Sequence, residues 1–337
     1  MLWQGALLLV NCGIAVSIVA AVRALTQWHT TQYSRVIAAA AGLCWLLLPW
    51  NEAARFWPTL LPNILTIAVE GFLCVYLIQG WMKNRSRAIT AGALYLWTCL
   101  CYEAFYFQWI PLVLIGVALW KAKRIALRPV IASSIALLAA QGVAGLWSVY
   151  TKIEGYRKVK GVLPNWSQVT RDNLLNLAPT VLRSVSEISV GFAFCAAVVI
   201  AAWLFVYVRS FSRDSERSAA HGSTALAGIS LLGGLISIVV FSLGGRIVIA
   251  IGPETRSTIL FNFWMVIAAA ILTTFTMNRL RAVPKAVFAL ALAGLGLCLA
   301  AGQVLRAGDW ITAWDQQKKI LAEAPISELK RTPLRCV

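Results

Sequence analysis

Four places in the chain hold polar groups that could do chemistry, each set in apolar surroundings. The first is Pro49-Trp50-Asn51-Glu52-Ala53-Ala54-Arg55-Phe56-Trp57. Glu52 and Arg55 are three apart, so they can pair on one helical turn. Alternatively, Arg55 takes an anionic headgroup and Glu52 a sugar hydroxyl. The second is Tyr102-Glu103, followed by Phe105, Tyr106, Phe107, Gln108 and Trp109. An acid among rings suits a carbohydrate, whose faces stack on aromatics and whose hydroxyls donate to carboxylates. The same residues also suit the aromatic belt at a membrane–water boundary. The third is Gly244-Gly245-Arg246 with Gly252-Pro253-Glu254-Thr255-Arg256. Its glycines and proline make a turn, and its two guanidinium forks suit phosphate, whether of a substrate or of a lipid headgroup. The fourth is Glu70, in the middle of an apolar run. There an acid must face the protein interior, carry a proton or pair, and a proton relay is one use for it.

The elements that carry these groups are membrane helices. Of 337 residues, 60% are hydrophobic and 13% charged, about half the ~25% charge of a soluble domain. The mean hydropathy is +0.75. The fifteen Trp fit a chain with many membrane–water boundaries. The net charge of +17 does not mark a nucleic-acid binder, because the basic residues sit in short runs between apolar segments. They read as anchors beside anionic lipid. Seven of the eight Cys fall inside apolar segments, and the two His, His29 and His221, stand apart in polar loops. That pattern offers no disulfide framework and no transition-metal site. No cofactor is expected, and short motifs do not resolve whether a divalent cation takes part. Met1–Gln4 lacks the positive region of a cleavable signal. No nucleotide-binding, zinc-protease or serine-hydrolase motif is present.

The fold class expected is all-α: a polytopic transmembrane bundle of about ten helices, with the N-terminus and C-terminus outside. The helices are placed at about 5–24, 35–50, 60–82, 88–102, 104–120, 129–150, 188–208, 224–244, 257–277 and 286–304. The fourth and fifth meet in a tight hairpin around Tyr102-Glu103. Several helices are short for a full span, which points to tilt or to an end inside the protein. Residues 1–304 form the membrane domain and 305–337 a short extracytoplasmic tail, with a helix at 310–323 and a strand-like end from Pro333. Loop 151–187 holds an amphipathic helix lying on the membrane, in which Leu174, Leu175, Ala178, Val181 and Leu182 recur at helical spacing. Pro179 is expected to bend or break it.

Orientation follows from charge. Fifteen Lys and Arg occupy one alternate set of short loops: Arg23 and Arg35, then 83–87, 121–128, 209–217 and 279–285. Only Arg55, Arg246 and Arg256 occupy the other short loops. The basic set is therefore cytoplasmic. Glu52, Arg55, Glu103, Arg246 and Arg256 then share the outer side and are expected to converge on one cavity.

These segments resemble multi-span glycosyltransferases of the GT-C class, which use polyprenyl-phosphate sugars on the outer side of the membrane. Trp3–Asn11 resembles the family's second membrane helix. Pro49–Trp57 is similar to the "P…EA…W" turn of protein O-mannosyltransferases and related bacterial enzymes. Tyr102-Glu103 through Pro111 resembles their "YE…P" hairpin. The tail with Trp314, Gln317, Ile320, Leu321 and Pro325 looks like the segment leading into a lumenal region. The resemblance implies a bacterial inner-membrane enzyme with three kinds of partner: membrane lipid, a polyprenyl-phosphate sugar donor, and a glycan, lipid or protein acceptor. It implies no nucleic acid. Arg55, Tyr102, Arg246, Glu254 and Arg256 would bind substrate or lipid phosphate.

The family's catalytic acid lies in a first outer loop, after a helix entering from the cytoplasm. Neither has a counterpart here, so no residue inherits that role, and Glu52 and Glu103 stand as substitutes. The outside N-terminus is what loss of that helix and loop would produce. The expectation is therefore a chain lacking an N-terminal portion, which inserts in the membrane but transfers little sugar. A polysaccharide polymerase, a non-catalytic membrane subunit and a transporter are the other readings. A transporter would call for internal repeats, and none is apparent.

Overall fold

The computed structural model describes residues 2–27, 32–48, 61–153, 166–184, 188–211, 214–243 and 258–323. These form eleven α-helices: α1 (Leu2–Thr26), α2 (Gln32–Leu47), α3 (Leu61–Met82), α4 (Ala88–Cys101), α5 (Trp109–Lys121), α6 (Leu127–Ile153), α7 (Trp166–Ser184), α8 (Ser189–Phe211), α9 (Asp214–Leu243), α10 (Ile259–Arg279) and α11 (Ala282–Glu323). Among the described residues there is no strand.

Seven of these helices are long and apolar enough to cross a membrane. The chain is a multi-pass integral membrane protein. In lipid, every backbone polar group needs a partner within the protein, and a helix supplies those partners from its own segment. Three apolar helices are shorter: 33–47 within α2, α4 and α5. At 1.5 Å per residue, α4 and α5 are each only about 20 Å long, short of a ~30 Å hydrocarbon core.

The bundle is built around α10, 78% of whose apolar window is buried, with α9, α2 and α1 against it; α8, at 11%, faces outward. Two glycines allow close contacts to α10. A Cβ at Gly71 of α3 would lie 2.3 Å from Ser17 Oγ of α1 and 3.2 Å from the Phe263 ring of α10; one at Gly233 of α9 would lie 3.0 Å from the Trp264 indole. Small residues let membrane helices approach, because dispersion rather than water exclusion drives their association. A second core of Val199, Val206, Phe275, Leu280, Phe288 and Ala291 joins α8 and α11 to α10.

The basic residues gather at one end. There Arg87 takes a left-handed backbone conformation (φ 47°) ahead of α4. Its guanidinium donates to Tyr76 O at 3.1 Å and lies 4.3 Å from the Tyr76 ring centroid. Lys285 lies 4.8 Å from the Tyr33 ring centroid. Long basic side chains reach the interface while their stems cover apolar surface.

Three elements differ from expectation. The helices expected at 286–304 and 310–323 are one helix, α11, of 42 residues. The intervening Leu305–Asp309 contains no proline, and Arg306 pairs with Asp309 at 3.0 Å across one turn. The helix of loop 151–187 runs unbroken through Pro179. The carbonyl that Pro179 leaves without a helical donor belongs to Leu175, which is 63% exposed, so solvent can satisfy it. The fifth helix begins at Trp109 rather than 104, leaving a seven-residue turn where a nearly loopless hairpin was expected. The strand-like end from Pro333 lies outside the described residues.

Candidate functional site

The hairpin of α4 and α5 is the most specifically built polar feature of the bundle. α4 ends where Tyr102 turns extended (φ −153°, ψ 117°), its N–H still bonded to Thr98 O. Glu103–Phe105 then form one 3₁₀ turn. Phe107 follows at φ 69°, a left-handed conformation unfavourable to a bulky L-residue, of the kind that tertiary contacts must hold in place. Pro111 is tolerated because it falls in the first turn of α5, where helical N–H groups lack internal acceptors.

Tyr95 is the hub that fixes this turn. Its hydroxyl lies 2.9 Å from both Phe105 O and Gln141 Oε1, and Trp109 N donates to it at 3.2 Å. One hydroxyl hydrogen serves two acceptors. Gln141 Oε1 also accepts from Phe107 N at 2.9 Å, which compensates the strained residue. Gln108, fully buried, donates through Nε2 to Gly233 O and accepts from Trp264 Nε1, both at 2.9 Å. Its amide bolts the turn to α9 and α10, and the missing Cβ of Gly233 lets the indole close on it.

The turn is recessed. Tyr106 donates to Ala144 O at 3.3 Å, and Phe107 bonds Gln141. These α6 residues lie six and nine positions before Tyr150, where the apolar span of α6 ends. At 1.5 Å per residue the turn therefore stops about 9–14 Å short of that end. It enters from the basic end and returns to it, stopping short of the end of α6 but level with the last turn of α9.

Of the residues singled out in the sequence, Tyr102 is buried. Its ring lies 5.9 Å from that of Phe241 on α9 and 6.1 Å from that of Phe105, so it anchors the turn to α9. Phe241 stands five residues before Arg246. Beside it, Ser242 accepts from Asn173 Nδ2 of α7 at 2.9 Å. The turn bearing Glu103, the end of α9 and the amphipathic α7 therefore meet at the non-basic end. The backbone of Glu103 is described and its side chain is not. Glu52, Arg55, Arg246, Glu254 and Arg256 lie outside the described residues. The helices that deliver them are described: α2 packs against α10, and α9 and α10 flank residues 244–257 and pack against each other.

Tyr95, Gln108, Gln141 and Trp264 did not emerge as site residues from the sequence. The two amides were the available signal, since polar groups inside apolar helices are expensive and need partners. Among the described residues, no group of three or more His, Cys, Asp or Glu could hold a metal ion. Comparison with family models, curated proteins and solved structures finds no match to this chain.

Proposed function

We propose that this chain is a membrane glycosyltransferase of the bacterial inner membrane, moving a sugar from a polyprenyl-phosphate donor to an acceptor on the outer face during cell-envelope glycan assembly. The observation that carries the reading is the Tyr102–Phe241 contact at 5.9 Å. It joins the turn bearing Glu103 to the end of α9 that leads into Arg246, Glu254 and Arg256. The acid-bearing turn thus packs on the helix end from which the arginine-bearing segment continues.

The chemistry that suits them is displacement at the anomeric carbon. The acceptor oxygen forms the new glycosidic bond as its proton passes to a carboxylate, Glu103 or Glu52. The bond from the anomeric carbon to the phosphate oxygen breaks, and that oxygen keeps the electron pair. Arg55, Arg246 or Arg256 offsets the charge left on the phosphate.

The test is transfer from a panel of polyprenyl-phosphate sugars by the purified chain in lipid. Activity is expected to fall about 100- to 10,000-fold in Glu103→Gln or Glu52→Gln, whichever removes the base. No transfer and no release of sugar from any donor by the wild-type chain would overturn the reading.

A further inference from the structure

Glu70 is the one charged residue type placed deep within the described core. It stands on α3, twelve residues before Met82 and so about 18 Å from the basic end. That is close to the length of α4, so Glu70 is level with the upper part of the recessed hairpin. Its side chain is 0% exposed, and neither carboxyl oxygen has a hydrogen-bond partner among the described residues. The adjoining Gly71 packs on Ser17 of α1 and Phe263 of α10, which closes that side to water.

The titratable groups in electrostatic reach of Glu70 are Cys74, one turn along α3, and Tyr95 and Cys99 on α4. The other helices packed on α3 are α1, α5 and α6, and Phe263 of α10 meets it at Gly71. Their charged residues, Arg23, Lys121, Arg128, Lys152 and Arg279, all stand in first or last turns, and Cys12 of α1 is exposed. No counter-ion therefore reaches the acid from a described neighbour.

A bare carboxylate in such a place is strongly disfavoured, so the group must take up a cation. A metal ion such as calcium or magnesium needs about six oxygen ligands, and among the described residues no group of three or more His, Cys, Asp or Glu could hold one. A proton needs no such group. The hairpin turn is held by a polar network. The Tyr95 hydroxyl contacts Gln141 Oε1, which accepts from Phe107 N, and Phe107 is 43% exposed in the turn.

We propose that Glu70 binds and releases a proton in the middle of the membrane, and that the hairpin turn senses it through Tyr95. Release puts a negative charge within electrostatic reach of a hydroxyl whose single hydrogen is already shared between Phe105 O and Gln141. The bonds that hold the turn thus depend on the state of Glu70. The proposal rests on burial and packing, independently of sugar transfer, and is tested without substrate.

The experiment is infrared difference spectroscopy of the full chain in lipid across a pH change. The expected result is a carboxylic C=O band exchanging with a carboxylate band, absent in Glu70→Gln and displaced in Glu70→Asp. The Asp variant covers the case in which the Gln variant does not fold. Superimposable wild-type and variant spectra would overturn the proposal. So would a midpoint that moves when sodium replaces potassium, since that marks a metal-cation site instead.

Discussion

At the scale of single residues, the bundle spends its buried polar groups on the hairpin turn. Tyr95 satisfies Phe105 O, Gln141 and Trp109 N with one hydroxyl. Gln108 satisfies Gly233 O and the Trp264 indole with one amide. Removing a hydroxyl of this kind strands its partners in a dry interior, at a cost of about 1–3 kcal/mol. Tyr95→Phe is therefore expected to lower the thermal unfolding temperature in detergent. An unchanged unfolding temperature would mean that the Tyr95 network contributes nothing. Glu103 and Arg246 stand out in the sequence as polar groups at the ends of apolar runs. Tyr95 does not, because a tyrosine in a membrane helix reads as an interface residue. Its partner Gln141 is 46 positions away, a separation that no periodicity reports.

At the scale of elements, apolar runs bounded by Lys and Arg located the membrane helices, since length and hydropathy decide what can cross lipid. Turn chemistry was less legible. Tyr102–Gln108 holds four aromatics in seven residues and carries no Gly or Pro, so helix and turn look alike in sequence. The strained Phe107 is held there by Gln141, a tertiary contact. The continuity of α11 was hidden for the opposite reason: Gly308-Asp309 looks like a break, yet the neighbouring side chains pair across it. The recessed hairpin makes a specific prediction. Ala104, in the turn, is fully buried. In a background without the other cysteines, Ala104→Cys is expected to resist impermeant maleimides from both sides, and to react only after unfolding. Rapid labelling of the folded protein from either side would show that the turn sits at the surface.

At the scale of the whole molecule, the account joins a multi-pass bundle, an end carrying the basic loops, and an opposite end where the turn, α7 and α9 meet. The functional reading requires that opposite end to face outward, because a polyprenyl-phosphate sugar acting on the outer leaflet must find its acid and guanidinium groups there. The charge asymmetry between the short loops predicts this orientation. The most direct test places single cysteines at two exposed sites in a cysteine-free background: Ala122, in the basic turn after α5, and Asp172, on α7. Side-selective labelling is then done in intact cells and in inverted vesicles. The account predicts that an impermeant maleimide reaches Asp172→Cys only from outside and Ala122→Cys only from the cytoplasm. Labelling of Asp172→Cys from the cytoplasmic side would contradict it, since the recess, Glu103 and the arginine-bearing loop would then face away from an outer-leaflet donor.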